Sequence, residues 1–229
     1  MLEILDRGAL SLVRKALDKV TGELFAVKFT DTTRFPGAAQ AVLREIEVLE
    51  MVQHPNCIRM ESYCLHKHTV YIVVPLATGK VLLDFLQEKK RLTELETAVI
   101  AHSLLQGVSY LHSKNVVHRD LKLENLMFSV PGDIHSLKIL DYGFSKHLEA
   151  GTDTLSTICG SPMYVAPEIL KLSLISEHTP ASYTEVVDAW STGVIIYMLL
   201  AGYAPFGKSS PIPYLPAYLH SLGSVQLLV

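Results

Sequence analysis

The sequence predicts an α+β fold, and three observations carry that prediction. Two runs rich in β-branched and aromatic residues, Leu24-Phe25-Ala26-Val27-Lys28-Phe29 and Val70-Tyr71-Ile72-Val73-Val74, read as strands. Between them, Ala38 to Val52 places Val42, Ile46, Leu49 and Val52 at helical spacing. Further on, Ala189 to Gly207 carries no charge and includes the apolar run Val194 to Leu200. With 229 residues and 49% hydrophobic content, the chain has room for one large domain or for two lobes around a cleft.

In chain order, only a few residues precede Leu5, so the first strand is short. A Thr21-Gly22-Glu23 turn opens the strand that bears Lys28, and Glu45 lies beside the apolar stripe of the helix that follows. Val70 to Val74 runs into Pro75-Leu76-Ala77, and Leu137-Lys138-Ile139-Leu140 reads as a strand ending just before Asp141. The uncharged stretch from Ala189 is long enough to raise a transmembrane reading. Its flanks favour a core helix, ended by Pro205, and leave the membrane span as the weaker alternative.

Composition narrows the setting. A formal net charge of −3 gives no sign of a nucleic-acid partner. Cys57, Cys64 and Cys159 form no CxxC pair and no even framework, as expected in a reducing compartment. The opening Met1-Leu2-Glu3-Ile4-Leu5-Asp6 lacks the basic region, apolar core and cleavage site of a secretory leader. The expected location is cytoplasmic, with the nucleus as a second compartment. His66 and His68 alternate without further ligands and read as solvent-facing strand residues rather than a metal site.

His118-Arg119-Asp120-Leu121-Lys122-Leu123-Glu124-Asn125 is the most informative stretch, because one short loop combines a base, a cation and a metal-binding amide. Moving a γ-phosphoryl group to a hydroxyl needs a carboxylate near the attacking oxygen and metal ions to neutralise the phosphate oxygens. Asp120 is the candidate base. Asn125 and Asp141 would supply oxygen ligands to Mg²⁺, a hard cation, and Lys122 would reach the transferred phosphate as a point charge. Taken singly each residue has a plainer reading, since Asp141-Tyr142-Gly143 could be an ordinary turn after a strand and Glu45 an ordinary surface residue.

Together with Asp141-Tyr142-Gly143, Ala166-Pro167-Glu168 and Ala26-Val27-Lys28, that loop resembles the protein kinase signature set in the family's order. The resemblance covers Leu5 to Phe206 and implies a two-lobed kinase-like fold, with an N-lobe over 1–75, a hinge over 75–80 and a C-lobe over 81–206. It implies ATP and Mg²⁺ as cofactors, a protein Ser or Thr hydroxyl as acceptor, and control by an upstream activating kinase. The nucleotide would be contacted by Leu5, Gly8, Val13, Ala26, Lys28, Pro75, Ala77 and Met127, with Glu45 pairing Lys28. Pro75 lacks an N–H, but the family uses only the carbonyl at that position, while Ala77 offers the N–H. Lys122 resembles the Ser/Thr kinases. Glu124 and Ser161 would contact the substrate, with Ser161 also touching Asp120 and Lys122. Leu49, Met60, His118 and Tyr142 would form an internal spine, and Asp188 would open the central hydrophobic helix.

Two features point to the calcium/calmodulin-dependent protein kinase group. Ser11 stands where the third glycine of the phosphate loop is expected, and Leu155 to Gly160 matches that group's activation segment, which makes Thr157 the phosphorylation site and Arg119 its cation. There are departures too. Asp6 replaces the first loop glycine and brings a carboxylate near the triphosphate, so weaker ATP binding is expected. Val81 replaces a Glu that favours basic substrates. The connection from Leu172 to Pro180 is longer than usual. The segment 207–229 has no counterpart, leaving Glu168 without its Arg partner, so an incomplete C-lobe is expected, in a truncated or divergent kinase. A noncatalytic nucleotide-binding scaffold is the competing function.

Overall fold

A computed structural model describes residues 2–7, 11–34, 36–148, 161, 163–172 and 184–206. Gly8 and Thr157 lie outside the described residues. The N-terminal part is a five-stranded antiparallel sheet in the order β1-β2-β3-β5-β4, formed by β1 (Ile4–Arg7), β2 (Ser11–Leu17), β3 (Leu24–Asp31), β4 (Ser62–His66) and β5 (Thr69–Pro75). Both faces of β3 are covered at its middle, where Ala26 and Val27 are each buried. Ala26 and Val27 of β3 sit opposite Val74 and Val73 of β5, and a slip by one residue would exchange their faces. Helix α1 (Ala38–Met51) buries Val42, Ile46 and Leu49, as its periodicity predicts, and Glu45 with them.

The remainder is mostly helical. It contains α2 (Leu82–Lys89), α3 (Glu94–Ser113), α4 (Pro167–Leu172) and α5 (Val186–Ala201), with the short strands β6 (Val116–Val117), β7 (Leu126–Phe128), β8 (Leu137–Ile139) and β9 (Lys146–His147). Thr93 and Glu96 form a capping box that starts α3: the Glu96 N–H donates to Thr93 Oγ1 at 3.2 Å, and the Thr93 N–H to Glu96 Oε2 at 3.0 Å. Ile100, Leu104 and Leu111 of α3 share one buried core with Val194, Ile195 and Leu199 of α5, and with Leu49 and Tyr142.

Three local expectations are corrected. Helix α5 ends at Ala201, not at Pro205. Gly202 takes φ 83°, and its N–H donates to the Met198 carbonyl at 2.8 Å in a position where a Cβ would collide with the Lys90 carbonyl. Leu140 lies beyond strand β8, and its N–H turns to the Asn125 carbonyl at 2.8 Å. His68 is exposed, but in the turn between β4 and β5 rather than on a strand. No helix among the described residues is long and apolar enough to cross a membrane.

Candidate active site

Two groups of charged side chains face the junction between the sheet and the helical part. The first is built by β3, α1 and the turn after β8. Lys28 Nζ lies 2.6 Å from Glu45 Oε1 and 2.8 Å from Asp141 Oδ1. Burial pulls the Lys28 ammonium down, but the two carboxylates outweigh it and hold it above the usual lysine value. Burial raises the Glu45 carboxyl, and Lys28 opposes that shift. Burial also works against charge on Asp141, yet Lys28 and the Gly143 N–H, 3.2 Å from Oδ1, outweigh it and leave that carboxyl below the usual range.

Asp120 is the centre of the second group. It is buried, with Oδ2 2.8 Å from Lys122 Nζ and 3.1 Å from Asn125 Nδ2. Its Oδ1 accepts from Ser161 Oγ at 3.0 Å, and Ser161 Oγ in turn accepts from Lys122 Nζ at 3.0 Å. Asn125 sits at the end of a 3₁₀ turn, Leu123–Asn125, and donates Nδ2 also to the Asp120 carbonyl at 2.8 Å. Spending the amide nitrogen there leaves Oδ1 as the atom Asn125 can offer a cation.

The backbone joins these groups. Besides the Leu140 N–H bond to Asn125, His118 Nε2 lies 3.0 Å from the Leu140 carbonyl. The His118 ring also packs against Tyr142, with centroids 5.5 Å apart. Tyr142 is fully buried, with Leu49 in the same core and Met60 packed against it. Beneath the loop, Asp188 Oδ2 accepts from the His118 N–H and Oδ1 from the Arg119 N–H, each at 2.9 Å. This clamp holds Arg119 at φ 66°, and Asp141 sits at φ 55°; both are left-handed conformations uncommon for residues with side chains. Arg119 Nε donates to the Phe144 carbonyl at 2.6 Å.

The other predicted residues are distributed around this centre. Val13 sits opposite Lys28 in the β2–β3 register, Ala26 opposite Val74, and Phe25 opposite Pro75. Ala77 follows in the hinge, and Val81 bridges to Met127, which brings β7 to the hinge's far end. At Gly79 the chain passes so close to β7 that its N–H reaches the Phe128 carbonyl at 3.0 Å, an approach a Cβ would block. Leu5 is exposed on β1. Asp6 turns its Oδ1 back to the Arg7 N–H at 2.8 Å. Glu124 accepts from the Tyr164 hydroxyl at 3.4 Å, and Glu168 of α4 enters no ion pair among the described residues.

Three contributors escaped the sequence reading. His112 Nε2 lies 2.9 Å from Asp188 Oδ2, and Ser191 Oγ donates to the Tyr164 carbonyl at 2.8 Å, which fixes the segment carrying Ser161 to α5. A basic residue in the last turn of α3 was the visible signal for His112; Tyr164 and Ser191 had none.

Among the described residues no group of three or more His, Cys, Asp and Glu side chains is placed to hold a metal by itself. Asn125 Oδ1 and the Asp141 carboxylate form a hard-oxygen pair, which suits Mg²⁺ when phosphate oxygens and water complete its shell.

The protein kinase domain pattern matches residues 1–216. The chain is 41% identical over 201 residues to a probable myosin light chain kinase of Dictyostelium discoideum, covering 87% of this chain and 62% of that protein. It is 40% identical over 212 residues to the mouse phosphorylase b kinase gamma catalytic chain, liver/testis isoform, covering 89% and 51%. It is 39% identical over 206 residues to calcium/calmodulin-dependent protein kinase type 1 of Macrobrachium nipponense, covering 89% and 56%. The chain thus spans between half and two thirds of the length of these relatives.

Proposed function

The chain belongs to the protein kinase domain family, and from that premise we propose that it transfers the γ-phosphoryl group of ATP to a Ser or Thr hydroxyl of a protein. The observation that carries this reading is the surround of Asp120. A carboxylate whose oxygens already meet one cation, one amide and one hydroxyl is oriented to accept a proton from an incoming alcohol. Ser161 occupies a position from which a substrate hydroxyl would displace or join it.

Lys28 would pair the nucleotide's phosphates, and Glu45 keeps it extended toward them. Asn125 and Asp141 would hold Mg²⁺, which when bound neutralises charge on the phosphate oxygens. Lys28 and the Gly143 N–H both meet Asp141 through Oδ1, so Oδ2 is the oxygen Asp141 would offer the cation. Lys122 stands beside Asp120 and would stabilise charge on the transferred group. In this proposal Thr157 is the regulatory phosphorylation site and Arg119 its cation, ordered by charge-assisted hydrogen bonds. Intact Lys28, Asp120, Asn125 and Asp141 speak against a purely noncatalytic scaffold.

The test is phosphate transfer from Mg²⁺-ATP to Ser- and Thr-containing peptides by the chain and by Asp120→Asn. Transfer should fall by at least about a hundredfold in the variant, in line with loss of a positioned general base. The upward thermal shift on adding Mg²⁺-ATP should persist. Equal transfer by both proteins would refute the assignment of Asp120.

A further inference from the structure

A cavity of 340 Å³ lies behind the hinge and shares only Pro75 and Ala77 with the residues assigned to the nucleotide. Its walls come from three places in the fold: the connection from α1 to β4, the hinge, and the β7–β8 hairpin, through Ser129 just after β7 and Lys138 on β8. Apolar groups line much of it, including Pro55, Ile58, Pro75 and Leu76. Its ionisable neighbours are almost all basic. Lys138, Arg59 and His54 line it, and among the described residues no acidic side chain does.

Lys138 is the unusual member. Its Nζ donates to the Pro55 carbonyl in the cavity wall, and no carboxylate pairs with it among the described residues. Burial, the largest influence, depresses its ammonium below the usual lysine value; the Cys57 sulfur in the same lining opposes that shift, and the Arg59 cation adds to it. Arg59 is engaged by Glu61 at 2.6 Å, outside the lining. His54 stacks on Tyr110 with centroids 4.8 Å apart, and its Nδ1 accepts from the Asn56 N–H at 3.1 Å, which places the ring's own N–H on Nε2.

A partly buried ammonium without a counter-ion, set in an apolar wall, is an incomplete arrangement that a ligand of opposite charge would complete. The volume falls at the small end of the range for small-molecule sites. We propose that this cavity binds a small amphipathic anion, an apolar body of aromatic size ending in a carboxylate, with the carboxylate on Lys138 and the body against Ile58, Pro75 and Leu76. The proposal is independent of whether the chain transfers phosphate, because neither Lys28 nor Asp120 lines the cavity.

The probe is 1-naphthaleneacetate, compared with its uncharged primary amide, titrated into the ¹⁵N-labelled full chain and followed by amide shifts. The carboxylate should saturate at millimolar concentration, move the amides of Ile58, Leu76 and Ser129, and bind about tenfold more tightly than the amide, as a charge-assisted hydrogen bond implies. Lys138→Met should abolish that preference. Arg59→Gln, a change at an exposed side chain that leaves folding intact, should reduce it a few-fold. Equal binding of carboxylate and amide, shifts confined to Lys28, Asp141 and their neighbours, or a preference unchanged in both variants would each overturn the proposal.

Discussion

Asp188→Asn removes a group that touches no reactant, so its cost measures how the loop is held. Asp188 is 1% exposed and takes three donors on two oxygens: the backbone N–H groups of His118 and Arg119 and the imidazole of His112, each at 2.9 Å. An amide has one acceptor oxygen and turns its NH₂ toward a donor, so at least one buried backbone N–H loses its partner. Leaving such a donor unmet costs about 1–3 kcal/mol, and weakening the remaining charge-assisted bonds adds about 1 kcal/mol more. The expected loss is about 2–4 kcal/mol, which at a urea slope of about 2 kcal/mol/M lowers the midpoint by roughly 1–2 M. Urea unfolding followed by circular dichroism reads this directly, with His112→Ala as the control. That variant removes only the partly exposed imidazole and should cost about 1 kcal/mol or less. A loss below about 1 kcal/mol in Asp188→Asn, or equal losses in the two variants, would refute the backbone clamp.

Lys28→Met leaves Glu45 buried without its cation, which should cost about 2–4 kcal/mol near neutral pH. The sign with pH follows from the shifts. The raised Lys28 stabilises fully below its ordinary 10.5 and loses that contribution only as pH rises through its higher folded value, whereas the lowered Asp141 stabilises above its ordinary 3.8 and loses it as pH falls through its lower folded value. The gap between wild type and Lys28→Met in chemical denaturation should therefore be widest near neutral pH and close in acid, beginning as Glu45, whose carboxyl burial raises above its ordinary 4.5, takes up a proton. Asp6→Gly is expected to tighten ATP binding several-fold in a thermal-shift titration, by removing a carboxylate from the loop proposed to cover the phosphates; unchanged affinity would clear Asp6. Glu96 should titrate at about 2 rather than its ordinary 4.5, held down by Lys89 and by the Thr93 N–H and hydroxyl, so the α3 cap is present above 4.5 and lost as pH falls toward 2. A carboxyl NMR titration with an ordinary midpoint would show the cap unformed in solution.

Much of the local structure was legible because local rules decide it. The stripe Val42, Ile46, Leu49 placed α1, and the alternation between apolar runs and turn residues placed β3 and β5. The charged centre was legible for another reason, since four short motifs, bearing Lys28, Asp120 with Asn125, Asp141 and Glu168, stand in the order of the protein kinase signature set that they resemble. What was missed depends on distant pairing. His112 and Asp188 are 76 positions apart, and Ser191 meets Tyr164 across 27, so neither contact leaves a periodic trace. The end of α5 was misplaced because proline was given more weight than glycine. Gly202 adopts a left-handed cap three residues before Pro205, and the Lys90 carbonyl packs where its side chain would be.

The two left-handed residues explain why the charged centres are held by so many supporting contacts. Arg119 and Asp141 each flank a charged centre, and holding a residue with a side chain in that region costs about 1–3 kcal/mol. Asp188 offsets the first through two N–H acceptances, and the Lys28 contact and the Gly143 N–H offset the second. Because His118 meets both the Asp188 clamp and the Leu140 carbonyl, the two strained turns are not independent. Releasing the clamp should shift Asp141 as well as Asp120, so the loss of activity in Asp188→Asn should exceed what its stability change accounts for when assayed where the variant is fully folded.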